Sequence, residues 1–381
     1  MNKSINQINA PAAIAIADKI RALESSGQKI FKLQTGEPCF ETPHYIKQAL
    51  QKSLESNQTR YSYSQGIPEL RQALTEQIYL KYGIIEDEKQ IFITNGAVSA
   101  IQYAIQSTIE QGDEVMIFDP SWPQYANITR IYGGQPQKIS LRNTGFIPTL
   151  DLIKSDLTSK TKLIIFNNPN NPTGAIIPKK QLEEILKFLV TRDVYLLFDE
   201  VYDSIVYEEF FSIFQSSFYN ELKDRIIYIN SFSKTFCMTG WRLGYAIVPP
   251  KISDNYLKLI QNSITNVATF IQWAGLIALK EKHNHLPLFN DMLSTYEKRK
   301  NQLVEIFSQK KWNFVCPQGG FYFFIQIPNR QKDFVEMMLD KYKIAVVPGI
   351  AYGEEFDEYF RISFAVNNES YNGFINWLNH G

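Results

Sequence analysis

The sequence predicts an α/β protein: a largely parallel sheet covered on both faces by helices, followed by a separate α+β unit. Three observations predict it. Short apolar runs recur through the middle of the chain, flat with Ile, Leu, Val and Phe as in strands buried on both faces. Between them, apolar residues fall at i, i+3, i+4 and i+7, one face of a helix. After roughly residue 280 this alternation gives way to a long polar helical pattern and a few short strands. The length agrees, because 381 residues are too many for one simple core.

In chain order, Thr42-Pro43 reads as a capping residue ahead of a first-turn proline, with Ile46, Leu50 and Leu54 on the helix that follows. Pro68 opens a second helix, with Leu70, Leu74 and Ile78 on one face and Gly83 as its stop. Residues 91–94 look like a strand running into Gly96, where a helix striped by Val98, Ile101, Ile105 and Ile109 begins. Residues 115–118, 163–166, 195–198, 226–229 and 243–248 read as buried strands, and Leu182, Ile185, Leu186 and Leu189 mark a helix among them. Then come a long helix over about 286–308, a strand at 320–327, a helix carrying Phe334, Met338 and Tyr342, and strands at 344–347 and 359–365. No repeat or Pro/Gly/Ser-rich linker separates the two parts, so a helix is expected to join them.

Composition excludes several classes. With 39 basic and 39 acidic residues, nothing favours nucleic acid or an anionic membrane as partner. Cys39, Cys237 and Cys316 form no Cys-x-x-Cys pair, so neither a zinc site nor a disulfide framework is expected, and a reducing, cytoplasmic setting fits. The N-terminus carries Lys3 but no continuous apolar segment, which reads as no signal peptide. No apolar stretch is long enough to cross a bilayer. His283 and His285 are too few for a metal site and read as exposed.

The chemistry gathers at strand ends, where ligands of such sheets sit. Strand 195–198 runs straight into Asp199, a carboxylate at the edge of the buried sheet; a helix cap or a core salt bridge is the alternative. Strand 226–229 runs into Lys234, flanked by Ser231 and Ser233. A lysine with a lowered pKa forms a Schiff base with a carbonyl, whereas an ordinary loop lysine is simply solvated. Arg242, eight residues on, tips the balance: serine hydroxyls with a guanidinium make a phosphate site. Gly96-Ala97-Val98 offers further free N–H groups at a helix start. The turn Asn167-Asn168-Pro169-Asn170-Asn171-Pro172-Thr173-Gly174 brings amide side chains to the same edge, or merely reverses the chain.

These residues resemble the fold-type I, class I/II aminotransferases, the aspartate aminotransferase superfamily. The resemblance runs from Thr35-Gly36-Glu37-Pro38 to Arg361. It is carried by Ser231-x-Ser233-Lys234 with Thr239-Gly240-Trp241-Arg242, by Asn170-Asn171-Pro172-Thr173-Gly174, and by Asp199-x-x-Tyr202 placed 35 residues before the lysine. Residues 317–324 and Val347-Pro348-Gly349 look like the family's small domain. The resemblance implies a mainly parallel seven-stranded sheet in a large domain over 41–280, with 1–40 and 281–381 forming the small domain. It implies pyridoxal 5'-phosphate as cofactor, held by Lys234 as a Schiff base, with the freed amine then moving the Cα proton.

By the same resemblance, Asp199 would pair with the pyridine nitrogen, Asn171 and Tyr202 would bond the ring oxygen, and Trp122 would stack on the ring. Gly96, Ala97, Val98, Ser231, Ser233 and Arg242 would hold the phosphate. Arg361, with Gly36 and Asn171 nearby, would clamp the α-carboxylate of an amino acid substrate. Tyr61 (or Tyr63 beside it) would reach the phosphate of a neighbouring subunit, which implies a homodimer. Ala97 and Val98 depart from the glycine and the small or cationic residue common in relatives, but the backbone donors survive that change; Cys39 stands where an acid is common, in a loop that approaches the substrate in relatives, and leaves substrate and reaction choice open. The expected activity is transfer of an amino group from an L-amino acid to a 2-oxo acid. A lyase or cyclase on the same scaffold is the alternative, and a non-catalytic binding protein is opposed by the complete cofactor set.

Overall fold

The computed structural model describes Ile8 and residues 12–331 and 333–380; the reading of the N-terminus around Lys3 lies outside them. The chain opens with α1 (Ala12–Ser25), β1 (Phe31–Lys32), α2 (His44–Glu55) and α3 (Pro68–Tyr82). Helix α3 begins at Pro68, where a missing N–H costs nothing, and stops at Gly83, whose left-handed φ of 72° a side chain would resist. Helix α2 corrects the expected cap. Its N-cap is Pro43 without side-chain help, and the Thr42 hydroxyl donates instead to the Cys237 carbonyl at 2.6 Å. Its buried face is Ile46, Ala49 and Ser53 rather than a stripe continuing to Leu54, which is exposed.

The central elements follow as β2 (Ile91–Thr94), α4 (Gly96–Thr108), β3 (Glu114–Asp119), α5 (Gln124–Ile131), β4 (Gln135–Ser140), α6 (Leu150–Asp156), β5 (Thr161–Asn167), α7 (Lys179–Leu189) and β6 (Tyr195–Asp199). After them come α8 (Tyr219–Leu222), β7 (Ile226–Ser231), α9 (Phe232–Thr235), β8 (Gly244–Ile247), α10 (Pro250–Ser263) and α11 (Thr269–Lys280). Seven strands form one sheet in the order β2-β8-β7-β6-β5-β3-β4. All its pairs are parallel except those of β8, which runs antiparallel to β2 and β7. Side chains alternate across it: Met116, Phe118, Ile164, Phe166, Leu196 and Phe198 face the core under α2, α3, α7 and α11. Val115, Ile117, Leu163, Ile165 and Leu197 face the core under α4, α5 and α10. In α4 the expected stripe holds at Ile101 and Ile105, but Val98 is exposed and Ile109 lies past the helix end in extended backbone.

The chain finishes with α12 (Lys282–Gln309), β9 (Phe314–Val315), β10 (Tyr322–Gln326), α13 (Phe334–Asp340), β11 (Ile344–Ala345), β12 (Val347–Pro348), β13 (Tyr359–Ser363) and α14 (Asn368–His380). Strands β12-β13-β10-β9 make an antiparallel sheet, while β1 and β11 pair in parallel. The strand expected at 344–347 is thus two, each committed to a different sheet. Tyr342 lies beyond the end of α13. His283 is exposed as expected, but His285 is buried, its ring 4.4 Å from that of Phe236. Among the described residues no cluster of three or more metal-ligating side chains occurs, no helix is long and apolar enough to cross a membrane, and all three cysteines are free.

Candidate active site

A cleft of about 400 Å³ opens beyond the carboxyl ends of β5, β6 and β7, with Tyr322 of β10 and Arg361 of β13 on its other side. Gly36, Ala97, Val98, Trp122, Asn171 and Asp199 line it, together with Tyr202, Ser231, Ser233, Lys234, Arg242 and Arg361. Gly96 sits behind this wall, against Arg242. Of the expected residues only Tyr61 stays away: its side chain is 88% exposed, and neither it nor Tyr63 lines the cleft of its own chain.

Each side chain is placed by its element. Strand β6 ends on Asp199, which is buried and accepts from the Tyr125 hydroxyl at 2.5 Å and the Val201 N–H at 3.3 Å. Burial pushes its carboxyl up to about 6, while those two hydrogen bonds and Lys234 pull the other way. Strand β7 delivers Ser231, and the single turn α9 carries Ser233 and Lys234 into the cleft. The Lys234 amine donates to the Gly36 carbonyl and lies 5.6 Å from the ring centres of both Tyr202 and Phe321. Burial lowers its pKa to about 8; Glu37 and Asp199 resist that shift, and Arg361 and Arg242 add to it.

Arg242 sits at a left-handed φ of 53° and donates to the carbonyls of Thr239 and Asn95. Two glycines make room for it. A Cβ on Gly96 would stand 2.5 Å from the Arg242 guanidinium, and one on Gly244 would stand 2.7 Å from the Gly96 carbonyl carbon. Backbone cannot yield there as a side chain can. Gly244→Ala is therefore expected to lose about 1–3 kcal/mol of stability to overpacking. A urea melt indistinguishable from wild type would contradict this.

Arg361, on β13, is buried and donates to the Asn171 side-chain oxygen at 3.1 Å and to the Gln34 carbonyl at 2.7 Å. Its Nε is buried without a partner. Asn171 is held in turn by its own N–H bonded to the Asn167 side chain. Among the described residues, Lys234, Arg242 and Arg361 form no ion pair, although all three line one cleft. Two carboxylates, Glu37 and Asp199, share that lining. Three cations against two acids leave an excess of positive charge that suits an anionic ligand.

The linkage at Asp199 has a definite sign. Its folded pKa of about 6 lies above the unfolded value near 3.9, so the folded chain holds the extra proton between them. Stability present below about pH 4 is lost as pH rises through about 6. Without any cofactor, the protein should lose about 2–3 kcal/mol over that window relative to Asp199→Asn, which has no such proton. Parallel pH–stability curves for the two proteins would rule this out.

Sequence reasoning missed Tyr125, Tyr322, Gln34 and Ile101, which also line the cleft. Gln34 contributes through its carbonyl, for which no side-chain signal exists. Tyr125 carried one usable signal, lying one helical turn beyond Trp122 in the helix that follows β3.

Residues 28–376 match the family model for aminotransferase class I and II. The chain is 32% identical over 373 residues to a probable aspartate/prephenate aminotransferase of Aquifex aeolicus, covering 96% of this chain and 94% of that one. It is 35% identical over 356 residues to aromatic-amino-acid aminotransferase 2 of Thermococcus litoralis, covering 92% and 91%. The structure of the aspartate aminotransferase of Thermus thermophilus with maleate superposes with a TM-score of 0.93 at 29% identity, over 100% of this chain and 99% of that one.

Proposed function

Because this chain belongs to the aminotransferase class I and II family, and is an aminotransferase by that membership, we propose that its cleft holds pyridoxal 5'-phosphate and moves the amino group of an L-amino acid to a 2-oxo acid. The carrying observation is the convergence of three unpaired cations with one buried carboxylate, Asp199. That set fits a cofactor with a phosphate and a basic ring nitrogen, together with a carboxylate-bearing substrate. When bound, the cofactor supplies an aldehyde for the amine and an electron sink that acidifies Cα–H.

This chain's own residues would do the rest. Ser231, Ser233, Arg242 and the free N–H groups at the start of α4, at Gly96, Ala97 and Val98, would grip the phosphate. Asp199, kept acceptor-ready by Tyr125 and Val201, would hold a proton on the ring nitrogen. The positive charge held there would also offset the desolvation that raises the Asp199 pKa. Asn171 and Tyr202 would bond the ring oxygen, and Trp122 would cover the ring face. Lys234 would take the aldehyde and then, as an amine titrating near 8, remove and return the proton at Cα. Arg361 and the Gly36 backbone would fix the substrate carboxylate and so choose which bond at Cα is aligned.

In this reading residues 41–280 form the large domain, with 1–40 and 281–381 as the small one. The lining of the cleft by Gly36 and Arg361 as well as by Lys234 supports that division. The exposed Tyr61 supports a homodimer in which it completes a neighbour's phosphate site, and three free thiols support a cytoplasmic setting. Relatives named for aspartate and for aromatic amino acids support an acidic or aromatic amino donor.

The test is a titration of the loaded protein with single L-amino acids. Without acceptor, one equivalent of 2-oxo acid per subunit should appear and the reaction should stop; 2-oxoglutarate should restart it. Continuous product release without acceptor would mark an eliminating or cyclising enzyme instead.

A further inference from the structure

We propose that Tyr322 is a positioning residue that couples carboxylate binding at Arg361 to the hydroxyl of Tyr202. The proposal rests on the reading of the site given above and goes beyond it. Tyr322 opens β10 and is 1% exposed. Strand pairing sets Phe324 opposite Arg361 and Tyr322 opposite Ser363, so Tyr322 is the diagonal same-face neighbour of Arg361. The Arg361 guanidinium carbon lies 4.2 Å from the centre of the Tyr322 ring. At the other end of that ring, the Tyr322 hydroxyl is 2.9 Å from the hydroxyl of Tyr202. Gly36 closes the third side, since a Cβ there would stand 3.1 Å from the Tyr322 hydroxyl. One ring therefore touches the expected carboxylate clamp at its face and the expected cofactor tyrosine at its tip.

The contact transmits charge. A cation over a phenol ring makes its O–H more acidic and a better donor. Carboxylates act the other way on both hydroxyls, Asp199 on Tyr202 and Glu37 on Tyr322, and Arg361 reaches Tyr202 as well. In the reading above the single Tyr202 proton goes to the ring oxygen, so the 2.9 Å bond between the two hydroxyls is the one Tyr322 donates. A hydroxyl that accepts one bond donates its own more strongly. A carboxylate arriving on Arg361 offsets the cation, weakens the Tyr322 donation, and so weakens what Tyr202 offers the ring oxygen. Basicity at the atom shared by Lys234 and the cofactor then rises when substrate binds, favouring the protonated form there. By reciprocity, the carboxylate binds more tightly when that proton is present.

The experiment is a spectral pH titration of the loaded protein, with and without saturating hydrocinnamate, a carboxylate that carries no amine. Wild type should show a midpoint in its visible absorbance that moves up when hydrocinnamate binds. Tyr322→Phe keeps the ring under Arg361 and removes the hydroxyl. Its resting midpoint should rise by about 0.5–1 pH unit, and its ligand-linked shift should shrink to about half. Its hydrocinnamate affinity below the midpoint should stay within about threefold of wild type, whereas Tyr322→Leu, which loses the ring, should weaken it roughly tenfold. A Tyr322→Phe protein with the wild-type midpoint and the wild-type ligand-linked shift overturns the coupling. So does one that binds hydrocinnamate as poorly as the leucine variant. Thermal melts of the unloaded variants check folding, and the phenylalanine variant alone decides if the leucine variant does not fold. Wild-type protein that gains no visible absorbance with pyridoxal 5'-phosphate would instead defeat the reading of the site itself.

Discussion

Lys234→Ala is expected to lower kcat by roughly 10⁴-fold or more, with substrate KM changed far less. The size follows from what the side chain alone provides. It is the lysine amine that lines the cleft, carried there from the end of β7 by the single turn α9. Its pKa of about 8 leaves a usable fraction of free amine at neutral pH, which an ordinary lysine does not have. Alanine leaves the phosphate grip, Asp199 and Arg361 in place, so the ligands should still bind while proton transfer at Cα fails. The vacated space opens onto the same cleft, and added methylamine should recover part of the rate. Lys234→Arg should not be rescued, because a guanidinium cannot give up its proton and fills the same space. Steady-state kinetics with and without methylamine decide this. An alanine variant within tenfold of wild type would remove Lys234 from the chemistry.

The sheet and the convergence of its strand ends were legible because both are local patterns. Five apolar runs mark β3, β5, β6, β7 and β8; site residues follow the ends of β3, β5, β6 and β7, and Arg242 precedes the antiparallel β8. What escaped depends on partners distant in sequence or on the absence of a pattern. Strand β4 is an edge strand in which only Ile139 is buried, so it has neither an apolar run nor alternation. Thr42 has the composition of a cap, but the carbonyl of Cys237 competes for its hydroxyl and wins. His285 looks polar in a polar helix, yet Phe236 and Phe289 cover it. Tyr125 and Tyr322 gain their importance from Asp199 and Tyr202, 74 and 120 residues away. Periodicity carries no information on such pairs.

Arg361→Leu is expected to lower kcat/KM by about 10³-fold, mostly through KM. Removing one partner of a buried, hydrogen-bonded charge pair costs about 3–5 kcal/mol, and each 1.36 kcal/mol is tenfold. The geometry argues for the upper part of that range. The guanidinium is already oriented before any substrate arrives, with Asn171 and the Gln34 carbonyl as anchors and the Tyr322 and Tyr352 rings 4.2 and 5.3 Å from its carbon. Little rotamer entropy is left to lose on binding, and its buried Nε still lacks a partner. Arg361→Lys keeps the charge but cannot offer two parallel bonds or cover both rings, so it should recover only part of the loss. The same anchors tie β13 to the segment before Gly36 and to the Asn-rich turn after β5. Leucine should therefore also speed hydrogen exchange at residues 34–37, an effect separable from catalysis because it appears without substrate. Unchanged KM for an amino acid, with exchange at 34–37 as in wild type, would mean that the carboxylate is held elsewhere.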